Sequence, residues 1–179
     1  MIREQKKELR KTVKELKKQF AEGDKIRQSE TIFNKIVQLP VFNNANTVLL
    51  YWSMPDEVLT HKFIEEWWQA KTILLPVVDG DNLRIKQYAG IQSMKKGEHF
   101  GILEPTGAEF KDLDLIDLII VPGVAFDKNN NRMGRGRGYY DKLLQSTKAY
   151  KIGVCFGFQF FEKVPIEKHD LPMDLVVKA

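Results

Sequence analysis

Apolar residues recur at two spacings along the 179-residue chain, and the exchange of one spacing for the other predicts its elements. Leu9, Val13, Leu16 and Phe20 lie four, three and four residues apart, the period of one helix face, so the first twenty residues predict an amphipathic helix with a narrow docking stripe. Gly23 and Asp24 end it and cap a second helix from Asp24 to Gln38, with Ile26, Ile32, Phe33 and Ile36 as its apolar face and Pro40 as its stop. Thr47 to Trp52 predicts a buried strand. Ser53-Met54-Pro55-Asp56-Glu57 breaks that pattern, and Thr60 caps a helix that points Phe63, Ile64, Trp67 and Trp68 one way. Thr72 to Val78 is the next strand, and the Asp79-Gly80 turn leads into the alternating Leu83-Arg84-Ile85-Lys86 of a hairpin. Residues 89–112 read as irregular. Leu113 to Val121 carries a strand ended by Pro122-Gly123, and a loop from Val124 to Asn131 follows. A helix from Tyr139 to Gln145, a strand from Ile152 to Phe156, a helical turn from Phe158 to Phe161 and a strand from Leu175 to Val177 complete the chain.

Continuous apolar strands that alternate with helices imply a mostly parallel sheet covered on both faces, hence a single α/β domain over residues 1–179. Ligands of such sheets gather at the carboxyl ends of strands. The Glu57 segment and the residues after Asn131 both follow strands and are therefore expected to converge.

Composition narrows the class of protein. At 43% hydrophobic residues the chain can bury a sizeable core, but its apolar runs are too short to span a bilayer and its N-terminus is charged, so a cytoplasmic protein without a membrane partner is expected. The net charge of +4 is loaded at one end: eight basic and three acidic side chains make residues 1–18 +5 and leave the remainder at −1. This suits a local anion at least as well as a nucleic-acid surface. Lys6 and Arg10 share a helix face and could reach one anion together, or form part of a solvated basic face. Cys155 is the only cysteine, which excludes an internal disulfide, and its setting in Ile152-Gly153-Val154-Cys155-Phe156 predicts a buried thiol.

The stretch from Arg132 through Met133, Gly134, Arg135, Gly136, Arg137 and Gly138 to Tyr139, Tyr140 and Asp141 is the strongest candidate for chemistry. Glycine admits close approach to backbone N–H groups, and each guanidinium offers a fork of donors to phosphate or carboxylate oxygens. It is neither a Gly-Lys-Ser/Thr phosphate loop nor a Gly-x-Gly-x-x-Gly turn. A concave run of N–H groups leading into a helix start, with three arginines, suits a polyphosphate; a solvated turn or an RNA-binding segment are the alternatives. Asp141, one turn into the helix, could hold a divalent cation bridging phosphate oxygens, or serve as an ordinary first-turn acid. Glu57 could take the donors of a polar ring or be solvated. His61 and His99 are read as surface residues, His169-Asp170 as a metal-associated acid or a turn, and no Cys/His cluster suits zinc.

Pro122-Gly123-Val124-Ala125-Phe126-Asp127 followed by Arg132 to Asp141 resembles the hallmark of the 5-formyltetrahydrofolate cyclo-ligase family. The resemblance extends to the Lys6 to Arg10 helix and to Asp56-Glu57 with Thr60. It implies a three-layer α/β/α domain and the ATP- and Mg2+-dependent conversion of 5-formyltetrahydrofolate to 5,10-methenyltetrahydrofolate, through a phosphorylated formyl group, with ADP and phosphate released. By position it implies a nucleotide site of Lys6, Lys7, Arg10 and Arg132 to Tyr140, and magnesium carboxylates Asp141 and Asp170, with Asp174 a nearby competitor. Glu57 is implied as the pterin-recognising acid with Trp52 beside it. Tyr139 and the Arg135 to Gly138 backbone are expected to face the folate too, with Arg135 and Tyr139 as the catalytic pair. A reduced folate is the expected partner, with no nucleic acid, and the chain is expected to be a monomer.

Overall fold

The computed structural model describes residues 1–98 and 101–179. Helices α1 (Ile2–Lys18), α2 (Glu22–Ile36) and α3 (Pro40–Asn44) precede strand β1 (Thr47–Leu49), α4 (His61–Trp67), β2 (Thr72–Asp79) and β3 (Asn82–Gln87). Two short strands, β4 (Met94–Lys96) and β5 (Leu103–Pro105), lead to β6 (Leu118–Val121), β7 (Ala125–Asp127) and β8 (Arg132–Met133). The chain finishes with α5 (Tyr139–Gln145), β9 (Tyr150–Cys155), β10 (Phe160–Phe161) and β11 (Leu175–Lys178).

Six strands form one sheet in the order β11-β9-β6-β1-β2-β3, parallel throughout except for the β2-β3 hairpin. Successive side chains of a strand point to opposite faces, and here both faces are apolar. Val48, Leu50, Ile73, Leu75, Leu118 and Ile120 pack with Ile32, Phe33, Ile36, Phe42, Phe63 and Ile64 of α2, α3 and α4. Leu49, Leu74, Ile119, Val121 and Cys155 face the other way, onto Phe126 and onto Leu143 and Leu144 of α5. A third cluster joins Leu9 and Val13 of α1 to Val124, Ala125, Met133 and Val164 around a small β10-β7-β8 sheet. Thus α1 docks on the loops beyond β6 rather than on the central sheet.

The chain leaves β1 toward β2 on one side and later returns to β6 on the other, so the sheet order reverses between β1 and β6. Crevices open at such points, outside the carboxyl ends of the strands. The segments that emerge there are Tyr51 to Glu57 and Pro122 to Val124.

The differences from expectation have physical causes. Pro40 does not merely stop α2; it opens α3, because its locked φ suits the first helical position. Ile26 is exposed and Ser29 takes the buried place on α2, its hydroxyl accepting from Leu59 N. Leu16 is partly exposed, so the stripe of α1 is narrower than its period suggests. Residues 113–115 form a 3-10 turn, and the strand starts only at Leu118. Residues 89–112 hold the β4-β5 hairpin, and the loop after Val124 holds β7. The turn at 157–159 passes straight into β10. Short strands escape a periodicity reading because two or three residues carry no period.

Candidate active site

Fixing the loops at the carboxyl end of the sheet requires internal acceptors for backbone groups that leave the ladder. Asp127 is fully buried and organises the β7-β8 connection: Oδ1 accepts from Asn129 N and Asn131 N, and Oδ2 from Asn131 Nδ2 and Val164 N. Burial alone would raise its pKa, and these donors together hold it below the ordinary carboxylate value. Gln159 donates to Gly123 O and Val124 O, pinning the segment after β6. Thr60 stands at the N-cap of α4 as expected, but its hydroxyl ties the turn after β1 rather than the helix end, donating to Tyr51 O and accepting from Ser53 N.

Between these anchors lies a cavity of about 260 Å³. Lys6, Arg10, Trp52, Glu57, Arg132 to Asp141 and Asp170 all line it. The structure thus brings together every sequence-derived site residue except Lys7, which is exposed and outside the cavity. Lys7 follows Lys6 by one residue, about 100° around the helix, and Lys6 holds the inward position.

The arginines do different work. Arg132 is buried; its Nε donates to Pro122 O at 2.8 Å, its Nη1 to Asp141 Oδ1 at 3.1 Å, and its guanidinium lies 5.3 Å from the Tyr140 ring centre. Burial lowers its pKa, with the Asp141 charge opposing. Arg135 crosses the cavity mouth to Asp56 Oδ1 at 2.6 Å and Glu57 Oε1 at 3.1 Å. Arg137 is exposed, with no ion pair among the described residues. Arg10 donates to Gly134 O at 3.0 Å and lies 3.5 Å from where a Cβ on Gly136 would stand. Gly136 has φ +99° and Gly138 φ +74°, conformations that a Cβ disfavours, so the glycines of this loop are required by its path. Among the described residues, no acceptor binds the backbone N–H groups of residues 135–138. These donors, with Arg10, Arg135 and Arg137, are of the type that could cradle an anion.

Carboxylates complete the cavity. Glu57 is almost wholly buried; burial raises its pKa despite a hydrogen bond from Met54 N at 2.9 Å and the Arg135 charge. Lys6 Nζ contacts Asp170 Oδ2 at 2.6 Å and Glu167 Oε2 at 2.8 Å, and Asp170 Oδ2 also accepts from Glu167 N. Asp170 Oδ1 and Asp141 Oδ2 lie outside these short bonds, Asp170 Oδ1 standing 3.8 Å from His169 Nε2, and each is a hard oxygen of the type that could bind a cation. Asp174, the competing acid, is exposed and caps Lys151 N at 2.7 Å, away from the cavity. Tyr139 donates to Gly80 O at 3.1 Å, anchoring α5 on the β2-β3 turn. Tyr140 Oη is the one fully buried side-chain polar atom without a partner among the described residues.

His61 corrects the surface reading: it is half-buried, stacks on Trp52 with ring centres 4.0 Å apart, and bonds Ser53 O at 3.1 Å; burial lowers its pKa. His169 is exposed, and His99 lies outside the described residues. Cys155 is buried as expected, its thiol pushed up to about 12 by burial. No helix among the described residues is long and apolar enough to cross a membrane. Of the basic residues of α1, Lys6, Lys17 and Lys18 pair with carboxylates and Arg10 turns inward, which reduces the free basic surface.

The model of the 5-formyltetrahydrofolate cyclo-ligase family matches residues 2–179. The chain belongs to that family. It is 34% identical over 153 residues to 5-formyltetrahydrofolate cyclo-ligase of Escherichia coli K12, covering 80% of this chain and 83% of that protein. It is 29% identical over 185 residues to the Mus musculus cyclo-ligase, covering 94% and 91%. The NMR structure of Aquifex aeolicus 5,10-methenyltetrahydrofolate synthetase superposes with a TM-score of 0.87 at 36% identity, over 97% of this chain and 89% of that one. The cyclo-ligases are enzymes, and their fold is the mostly parallel six-stranded α/β sheet described above.

Sequence reading missed the wall opposite α1. Pro76, Val78 and Leu83 of the β2-β3 hairpin, with Ile102 and Glu104 of the β4-β5 hairpin, line the cavity. Alternation in Leu83-Arg84-Ile85-Lys86 marked a strand but not which edge of it meets a ligand.

Proposed function

We propose that this chain closes 5-formyltetrahydrofolate to 5,10-methenyltetrahydrofolate at the expense of ATP, with ADP and phosphate released. The supporting observation is the convergence, in one cavity of a whole-chain family match, of an anion cradle with an apolar wall carrying carboxylates. A formamide carbon is a poor electrophile. Attack of the formyl oxygen on the γ-phosphorus breaks the bond to ADP and leaves an iminium carbon bearing phosphate. The neighbouring folate amine adds to that carbon and gives up its N–H proton to solvent, and cleavage of the C–O bond releases phosphate.

Such a reaction needs positioning and charge neutralisation more than acid-base chemistry. Arg10, Arg135, Arg137 and the N–H groups of residues 135–138 would bind the phosphates, and Asp141 with Asp170 would hold Mg2+, which neutralises phosphate charge when bound. Trp52 and Glu57 would border the folate ring, and the Gly136 to Tyr139 backbone would keep formyl oxygen and phosphate in line. Arg132 and Lys6 act through Asp141 and Asp170, setting those carboxylates in place. A monomer is the proposed working form.

Purified protein mixed with 5-formyltetrahydrofolate, ATP and Mg2+ should develop the near-UV absorbance of the methenyl product, with stoichiometric ADP. No ATP-dependent product at any pH between about 5 and 8 would overturn the reading.

A further inference from the structure

Trp52 and His61 stack face to face, with ring centres 4.0 Å apart and planes 21° from parallel. Trp52 lines the cavity and His61 does not, so the imidazole backs the indole. The contact is closer than that of Tyr88, the other ring along the indole, whose centre stands 6.1 Å away. His61 also donates from Nε2 to Ser53 O at 3.1 Å, the tautomer being set by a carbonyl that can only accept. Burial lowers its pKa, which keeps the ring neutral near pH 7. This hydrogen bond is not what closes the turn after β1. Thr60 already does so, donating from Oγ1 to Tyr51 O, accepting there from Ser53 N and giving its own N–H to Ser53 Oγ. What His61 adds is a flat surface behind Trp52.

The use of such a backing follows from where Trp52 stands. β1 ends at Leu49, so the indole projects from the turn beyond the strand, half-buried, and its side-chain torsions are fixed by what it packs against. Pro76, Val78, Leu83 and Ile102 add aliphatic groups to the same cavity, and an aromatic plane among aliphatic groups suits a flat ring. An indole free to swing must be ordered each time a ligand binds, whereas an indole already stacked has lost that freedom on folding. Resting on the folate reading above, we propose that His61 is a positioning residue for the reduced folate, its imidazole holding the Trp52 indole in place as a preset surface for the pterin ring. His61 stands outside the cavity and acts through Trp52.

The test is a double-mutant cycle read by calorimetric titration with 5-formyltetrahydrofolate and, separately, with a non-hydrolysable ATP analogue, alongside steady-state kinetics. Loss of an aromatic pair changes affinity roughly 2- to 12-fold. His61→Ala should weaken folate binding by about that factor and raise the KM for folate equally, with kcat and the affinity for the ATP analogue unchanged. His61→Phe keeps a ring and loses the donor, and should bind folate like wild type. His61→Gln keeps a donor and loses the ring, and should bind it like His61→Ala. Trp52→Ala should weaken folate binding, and adding His61→Ala to it should weaken it no further. Wild-type folate affinity in His61→Ala, failure of His61→Phe to restore binding, rescue by His61→Gln, additive losses in the cycle, or an equal loss of affinity for the ATP analogue each overturns the proposal. If wild type forms methenyl product in any of those cases, the cyclo-ligase reading stands and only the His61 assignment falls. If wild type neither binds nor converts the folate, both fall.

Discussion

Arg135 Nη2 lies 2.6 Å from Asp56 Oδ1, joining the arginine-glycine loop to the turn after β1 across the cavity mouth. Asp56 also accepts from Lys17 Nζ at 2.8 Å, so α1, the β1 turn and the loop meet at one carboxylate. Arg135 and Asp56 are each about two-fifths exposed, and a solvent-screened pair of that kind contributes roughly 0–1 kcal/mol to stability. On the proposed reaction, its value would lie in holding a guanidinium where the transferring phosphate develops charge. Arg135→Ala should therefore leave the unfolding free energy within about 1 kcal/mol and lower kcat by roughly 10²–10³-fold, the range for removing one transition-state donor. Chemical denaturation and steady-state kinetics on the same preparation check both halves.

Lys6 and Asp170 tie α1 to the segment before β11, and their side chains are only 10% and 11% exposed. Burial disfavours both charges, yet the mutual hydrogen bond and attraction outweigh it: Lys6 is raised and Asp170 lowered from their ordinary values. The Asp170 contribution is therefore present above its unfolded pKa of about 3.9 and fades as pH falls through its depressed folded value. The Lys6 contribution is present below about 10.4 and fades as pH rises through its raised folded value. Asp170→Asn should cost about 2–4 kcal/mol near pH 7, toward the value for breaking a buried pair, and flatten the acid limb of a stability-versus-pH curve. An unchanged acid limb would refute the linkage.

Gly136 combines φ +99° with the closeness of Arg10. Gly136→Ala should cost roughly 1–2 kcal/mol through backbone strain and weaken nucleotide binding more than folate binding. Separate titrations with a non-hydrolysable ATP analogue and with folate distinguish the two.

Tyr140 Oη is buried beside the cavity with no partner among the described residues, and burial pushes its pKa well above the ordinary tyrosine value. Tyr140→Phe removes an uncompensated hydroxyl, so the ligand-free protein should be as stable as wild type or more so by about 1 kcal/mol. A loss of kcat/KM alongside that gain would mark the hydroxyl as ligand-facing; a drop in melting temperature would show that it has a structural partner.

Asp127 predicts the opposite. Asp127→Ala removes a fully buried acceptor of four hydrogen bonds and should cost about 3 kcal/mol or more. Hydrogen exchange should show residues 128–131 and Val164 losing protection first.

The longer helices, the long apolar strands and the parallel sheet were readable because they rest on local facts. The period of α1, the apolar runs of β1, β2 and β6 and the Asp79-Gly80 turn are written in neighbouring residues. The arginine-glycine stretch announced itself by composition, since no core needs three arginines among three glycines. What each arginine does was not readable: Arg132 braces Asp141, Arg135 spans to Asp56, and Arg137 has no ion pair among the described residues, although all three stand within six residues of one another. The same holds for choosing Asp170 over Asp174 and for the burial of His61 against Trp52. Those roles depend on groups many residues apart along the chain that meet only after the strands pair, and hydrogen-bond partners, burial and pKa are properties of that meeting.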